Sequence, residues 1–280
     1  MSTIAIVGLG LIGGSLGLDF SRWGHRVVGV SRRSETAQAA IRMQAVTTAG
    51  TDLSLVASAD VVFLCTPLDQ LVPTARAMVP YLREGTVVTD VGSVKQMIVE
   101  EITALWPDFV GGHPMAGKAE AGLEVAEANL FKNRPYVITP TAQTRERSLT
   151  VLQNLVHQLG AQVCQCHPQA HDRAVAWISH LPVMVSSSLI QACQQETDGV
   201  ILALAQTLAS SGFKDTSRVG GGVPELGSLM ARYNRTALLQ TLDSYQRQLT
   251  QLVDLIKAED WQGLEQQLAA AQAARPAYLK

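Results

Sequence analysis

Within its first thirty-three residues the chain passes from Ile4-Ala5-Ile6-Val7 through Gly8-Leu9-Gly10-Leu11-Ile12-Gly13, then returns as Val27-Val28-Gly29-Val30 and ends in Ser31-Arg32-Arg33. This order predicts a strand, a tight turn, a helix and a second strand. Gly8 permits the turn, Gly10 lets the backbone approach a pyrophosphate, and Gly13 lets helix and strand pack closely. Leu11 and Ile12 then open a helix whose unpaired N–H groups and positive dipole end face the phosphates. A GxGxxG run alone is a weak signal, but the strand before it, the helix after it and the closing strand make it specific. An NAD site usually carries an acidic residue about 20 positions after the turn, bonding the ribose 2′-hydroxyl. Here that region offers Ser31 and two guanidiniums, Arg32 and Arg33. These suit a 2′-phosphate, so NADP is the expected cofactor. The alternative for the two arginines is a pair of solvated surface charges.

Strand and helix signals alternate along residues 1–166. Apolar runs at 3–7, 26–30, 60–65, 86–90, 109–112, 135–139 and 162–166 read as strands, with helical stretches such as 12–23, 69–79 and 144–159 between them. Short Val- and Ile-rich runs suit strands buried on both faces. The alternation predicts an α/β fold, a doubly wound and mostly parallel sheet of Rossmann type. In such sheets ligands bind beyond the carboxyl ends of the strands, which puts Gly8–Gly13, Ser31–Arg33, Thr66-Pro67, Gly92-Ser93 and His113-Pro114 on one edge.

Past about residue 167 the strand runs stop. Leu238, Leu242, Tyr245, Leu249, Leu252 and Ile256 recur on one helix face. Trp261, Leu264, Leu268 and Ala271 repeat the pattern after a break at Ala258-Glu259-Asp260, and Ala174, Trp177, Ile178, Leu181 and Val185 form a further stripe across Pro182. Residues 167–280 are therefore expected to form an all-α substrate and dimerisation domain of about five helices, joined to a nucleotide-binding domain of residues 1–166. Long apolar stripes on so small a domain predict a homodimer through it; packing on the first domain alone is the plainer alternative.

The 280 residues carry a formal net charge of −2, which gives no general attraction to nucleic acid. The four cysteines (Cys65, Cys164, Cys166, Cys193) lack metal-ligand spacing, so no metal is expected, and reduced thiols in the cytoplasm fit them. The amino terminus enters a strand with no basic-then-apolar signal, and no apolar run is expected to span a membrane.

Several segments offer chemistry. Asp90-Val91-Gly92-Ser93-Val94-Lys95 follows the fourth predicted strand and places Ser93 either over a nicotinamide or at a helix N-cap. Gly111-Gly112-His113-Pro114-Met115-Ala116-Gly117 follows the fifth and sets an imidazole on the rim where cofactor and substrate meet, suited to accept a hydroxyl proton. Ser179-His180-Leu181-Pro182 interrupts a helix, with His180 either at the site or satisfying a carbonyl freed by the kink. In Gly212-Phe213-Lys214-Asp215-Thr216-Ser217-Arg218, Arg218 either clamps a carboxylate or pairs with Asp215.

Taken in order, GLGLIGGSLG (8–17), TP (66–67), DVGSVK (90–95), GGHPMAG (111–117), HLP (180–182) and GFKDTSR (212–218) resemble the prephenate/arogenate dehydrogenases of tyrosine biosynthesis. The resemblance implies oxidative decarboxylation of a cyclohexadienol to a phenol, with hydride passing to nicotinamide C4 and loss of carbon dioxide. It also implies that His113 takes up the proton of the reacting hydroxyl, that Ser93 contacts the same hydroxyl, and that Arg218 binds a substrate carboxylate. Two departures stand out. Val183 follows HLP where some relatives have a substrate-binding histidine, and the acidic residue after HPMAG is shifted to Glu120, with Ala119 where several relatives are acidic. Glu120 or Asp215 would suit the ammonium of arogenate better than the keto group of prephenate, so an NADP-dependent arogenate dehydrogenase is expected, with prephenate dehydrogenase as the alternative. The chain ends at Lys280, so little feedback inhibition through a separate regulatory module is expected. A 3-hydroxy acid dehydrogenase is the nearest rival, but no lysine lies between Cys166 and Gln195 to serve it. A non-catalytic NADP sensor is the rival from another class; it would have no need of His113.

Overall fold

A computed structural model describes residues 1–118 and 120–279. Eight strands run in chain order as β1 (Thr3–Val7), β2 (Arg26–Val30), β3 (Thr48–Gly50), β4 (Val61–Leu64), β5 (Val87–Asp90), β6 (Phe109–Pro114), β7 (Pro135–Thr139) and β8 (Gln162–Gln165). They form one sheet in the order β3-β2-β1-β4-β5-β6-β7-β8. Every pair is parallel except β6 with β7, in which His113 lies opposite Val137. The exception follows from the connection: the described residues of 115–134 contain no helix to carry the chain back across the sheet. Helices α1 (Leu11–Arg22), α2 (Ser34–Arg42), α3 (Leu71–Met78), α4 (Gln96–Leu105) and α5 (Glu146–Gln158) fill five of the six other crossovers, and a 3-10 helix, Leu53–Ser58, fills the one from β3 to β4. Two apolar clusters lie on the sheet's two faces, one around Ile4, Ile6, Phe20, Phe63 and Tyr136, the other around Ala5, Val62, Leu64, Leu71 and Ile98. Alternating residues of β1 and β4 thus feed opposite faces, as buried strands must.

The helical part is built from α6 (Pro168–Val175), a π-helical turn (Ala176–His180), α7 (Leu181–Gln194), α8 (Gly199–Leu208), α9 (Ser211–Ser217), α10 (Pro224–Tyr233), α11 (Arg235–Lys257) and α12 (Trp261–Ala274). These are seven α-helices where about five were expected. The chain divides into two compact units, Met1–Arg235 and Thr236–Lys280, so α6–α10 belong with the sheet rather than apart from it. Asp172 of α6 explains part of this: its carboxylate accepts the N–H groups of Lys95 and Gln96 at the start of α4, at 2.7 and 2.9 Å. In the second unit, Asp260 caps α12 by accepting from the Gly263 N–H, and Glu259 takes a positive φ in the predicted break.

One expectation is corrected. The continuous helical run Pro168–Gln194 is long and apolar enough to cross a membrane by length and composition. It nevertheless carries buried, hydrogen-bonded His171 and Asp172, and its π turn buries His180 while leaving Trp177 and Ile178 about half exposed. The stripe read from Trp177 and Ile178 is therefore not the buried one.

Candidate active site

At the amino end of α1 the glycines divide by role. Gly8 has φ +105°, and a Cβ there would lie 2.5 Å from the Cys65 carbonyl oxygen; a Cβ at Gly13 would lie 2.0 Å from the Gly8 carbonyl oxygen. Both positions are closed to any side chain. A Cβ at Gly10 would meet nothing within 4 Å, and Gly10 is the N-cap of α1 with no side-chain cap. The first turn of α1, opened by Leu11 and Ile12, is therefore uncapped by any side chain and has open space at Gly10, as an anion seat requires. Beside this turn, after β4, the hydroxyl of Thr66 is buried without a partner among the described residues, followed by exposed Pro67. After β2, Ser31 Oγ accepts from the Arg33 N–H at 3.3 Å, while Arg32 and Arg33 are exposed and form no ion pair among the described residues. An open glycine turn, an orphaned hydroxyl and two free guanidiniums on adjacent strand ends fit a phosphate-bearing dinucleotide.

Two strands further along, Asp90 and Lys95 form a fully buried ion pair. Asp90 also accepts from the N–H groups of Gly92 (2.8 Å) and Gly112 (3.2 Å), and Lys95 Nζ donates to the Gly112 carbonyl at 2.8 Å. Burial lowers the Lys95 pKa, opposed by the attraction of Asp90. The acid and base of DVGSVK thus staple the Ser93 loop to β6 rather than face a substrate. Ser93 is half-buried, and the N-cap of α4 is Lys95, so the helix-cap alternative for Ser93 does not hold; Asp172 caps the helix instead.

His113, half-buried on β6, heads a chain that sequence reading missed. Its Nδ1 lies 2.9 Å from His171 Nε2, and His171 Nδ1 lies 2.7 Å from Asp172 Oδ1. A carboxylate accepts only, so His171 carries its hydrogen on Nδ1. In the neutral ring Nε2 is then bare and accepts from His113 Nδ1–H, which leaves His113 Nε2 as a free lone pair. Burial holds the His113 pKa well below the usual histidine range, reinforced by the charges of His171, Lys95 and His180. The one available signal was positional: His171 and Asp172 share a helix face with Val175 and Ala176, a face that a soluble helix buries.

The other histidine of interest, His180, is fully buried. Burial brings its pKa down to about 4. Asn234 Nδ2 donates to the Asp172 carbonyl (2.7 Å) and lies 3.2 Å from His180 Nδ1. The neutral ring therefore holds its proton on Nε2, which has no partner among the described residues. His180 does not satisfy a freed helix carbonyl. Arg218 ends α9, is exposed, and makes neither a hydrogen bond nor an ion pair with Asp215 among the described residues. Its segment is fastened to α7: Ser186 Oγ donates to the Thr216 carbonyl at 2.6 Å, and a Cβ at Gly220 would lie 2.6 Å from the Ser186 backbone. Asp215 and Glu120 are exposed; Ala119 lies outside the described residues.

Comparison with known proteins bears on these residues as a set. The model of the prephenate dehydrogenase nucleotide-binding domain matches residues 16–165, and that of the prephenate dehydrogenase dimerization domain matches residues 167–270. A prephenate dehydrogenase of Bacillus subtilis is 31% identical over 269 residues, covering 94% of this chain and 72% of that protein. The crystal structure of Synechocystis arogenate dehydrogenase is 51% identical, superposes with a TM-score of 0.88 and covers 99% of both chains. Prephenate dehydrogenase from Aquifex aeolicus, solved with hydroxyphenyl propionate and NAD+, is 26% identical with a TM-score of 0.94 over 99% of this chain and 98% of that one. With both halves matched, the chain belongs to the prephenate/arogenate dehydrogenase family of oxidoreductases in tyrosine biosynthesis.

Proposed function

We propose that this protein converts L-arogenate to L-tyrosine with NADP, by oxidative decarboxylation. The observation that carries the reading is His113: a bare, acceptor Nε2 on the sheet edge that also holds the open glycine turn. NADP over NAD is supported by Ser31, Arg32 and Arg33, which offer a 2′-phosphate a hydroxyl and two unpaired guanidiniums. Arogenate over prephenate is supported by the 51% identity to an arogenate dehydrogenase across the full length. Val183 in place of a histidine and the exposed carboxylates Glu120 and Asp215 support it further.

Gly8, Gly10, Leu11, Ile12 and Gly13 seat the pyrophosphate, with Thr66 and Pro67 alongside it. When bound, the nicotinamide accepts a hydride at C4 from the carbinol carbon. His113 Nε2 takes the hydroxyl proton as that hydride departs, and Ser93 holds the same oxygen. Arg218 grips the amino acid carboxylate in two parallel hydrogen bonds, Glu120 or Asp215 meets the ammonium, and His180 offers its neutral Nε2–H to the substrate. The bond to the ring carboxylate then breaks, its electron pair completes the aromatic ring, and the phenolic oxygen recovers a proton. No net proton is consumed, so the protein's task is orientation and the loan of a proton.

Residues 1–166 form the nucleotide-binding domain in this reading and 167–280 the substrate and dimerisation domain of a homodimer. Four free cysteines suit the cytoplasm. A single assay tests the reading: reduced-nicotinamide absorbance with arogenate and prephenate, each crossed with NADP and NAD. Arogenate with NADP is expected to give the highest kcat/KM. Higher kcat/KM with prephenate would reassign the substrate, and binding of NADP without turnover of either would favour a sensor.

A further inference from the structure

The line His113–His171–Asp172 does more than hold a ring in place. Asp172 Oδ1 accepts from the Lys95 N–H at 2.7 Å as well as from His171, and its Oδ2 accepts from the Gln96 N–H at 2.9 Å. The carboxylate is anchored by the start of α4 and can only accept from His171 Nδ1. His171 therefore keeps a hydrogen on Nδ1 in either of its protonation states, and Nε2 is the one atom at which it changes. That atom's partner is His113 Nδ1, 2.9 Å away. One proton is shared along this contact. With it on His113, the outer Nε2 of His113 is bare and acts as a base. With it on His171, the remaining proton of a neutral His113 sits on Nε2 and can be given away. These two arrangements correspond to the site before and after it has received a proton.

We propose that His171 and Asp172 form a proton reservoir behind His113. As the substrate O–H bond breaks and its proton bonds to His113 Nε2, the Nδ1–H bond of His113 breaks and that proton bonds to His171 Nε2. His113 stays neutral, and the positive charge rests on His171 against the Asp172 carboxylate. When the carboxylate of the substrate leaves as carbon dioxide, the phenolic oxygen reclaims the proton from His113 Nε2 and the shift reverses. Atoms and charge balance over the cycle: the hydride passes from the carbinol carbon to the oxidised nicotinamide, the ring carboxylate leaves as carbon dioxide, and the phenol keeps the proton that His113 held. The surroundings favour this placement. Burial and the nearby Lys95 ammonium disfavour a cation on His113, whereas His171 has an anionic partner at 2.7 Å. His171 is thus a positioning residue that acts through His113, and the inference rests on His113 being the base.

His171→Gln tests it, because glutamine Oε1 accepts from His113 Nδ1–H but takes up no proton. We expect substrate and NADP KM within about twofold of wild type and kcat lower by roughly 10–10³-fold, inside the span general base catalysis supplies. The acid limb of the kcat–pH profile is expected to move to lower pH by a unit or more, since the charge must then sit on the disfavoured His113. In wild type that limb belongs to the coupled chain rather than to one ring. A lower kcat with an unmoved acid limb would mark His171 as a structural support and overturn the reservoir, as would an unchanged kcat. If the variant does not fold, histidine-ring ¹⁵N NMR of the wild-type holoenzyme decides. His113 Nδ1 and His171 Nε2 should titrate together; separate titrations would overturn the proposal. His113→Asn with undiminished turnover would remove the base assignment itself, while the same NMR titration would still report on the shared proton.

Discussion

His113, Arg218 and the Arg32–Arg33 pair differ in how the fold commits them. His113 is held through Nδ1, so its orientation is fixed before substrate arrives. His113→Asn keeps a polar side chain on β6 but no base. Turnover is expected to fall roughly 10²–10⁴-fold, with NADP affinity retained, as measured by initial rates and cofactor titration. Arg218, by contrast, is exposed and has no protein partner among the described residues. A guanidinium in a structural ion pair would be spoken for; this one is free for a carboxylate. Arg218→Gln is expected to raise substrate KM by about 10–100-fold, the size of a charged double hydrogen bond, and to leave the melting temperature within a degree or two. A large drop in Tm with normal KM would show that the side chain supports the fold instead. Arg32 and Arg33 are equally unpaired, and exchanging them for Asp and Ser should move the kcat/KM ratio towards NAD by ten-fold or more. Equal use of both cofactors by the wild type would remove the basis of that prediction.

The segments that deliver these side chains show what a linear pattern can and cannot reveal. Seven of the eight strands lie within a residue or two of the runs that predict them; six of these are buried on both faces and leave a continuous apolar signal, whereas β8, Gln162–Gln165, is largely exposed. β3 is absent from that reading because Thr48-Ala49-Gly50 is three small residues at a sheet edge, too short and too weakly apolar to register. Among the residues proposed for the site, the glycine turn, Ser93, His113 and Arg218 follow motifs, whereas the groups behind them do not. Asp172 serves α4, which lies more than seventy residues earlier, and that pairing exists only after folding. His180 is likewise placed by a π turn that brings it to Asn234. Its burial has a measurable consequence. With its pKa near 4 in the fold and about 6.5 when unfolded, His180 binds more protons in the unfolded chain between those values. Stability therefore rises with pH from about 4 to 6.5 on its account and is flat above. The span corresponds to something on the order of 3 kcal/mol. His180→Asn should flatten the acid side of a urea-midpoint-versus-pH curve between pH 4 and 6.5. An unchanged acid slope would show that other groups carry it.

Surfaces that nothing in a single chain covers point to a second copy. α8 has no buried residue, although Val200, Ile201, Leu204 and Leu208 are all large and apolar, with 47–76% of their surface exposed. Leaving such a helix in water forfeits roughly 1.5–3 kcal/mol for each side chain that could be buried. In the second compact unit, α11 begins with buried Ala237, Leu238 and Thr241 but exposes Leu249, Val253 and Ile256 towards its end, and α12 exposes Trp261 and Leu268. The apolar stripe therefore outlasts the burial available to it. This region is the one matched by the dimerization-domain model, residues 167–270. Twofold symmetry would let this apolar helix face cover its own copy, so α8 is the expected seam of a homodimer. Leu204→Asp together with Leu208→Asp places two charges on that face of α8 without touching any group assigned to the chemistry. At micromolar concentration the wild type should sediment as a dimer and the double variant as a monomer, with secondary structure unchanged by circular dichroism. A wild type that sediments as a monomer, or a double variant that remains dimeric, would rule out α8 as the seam.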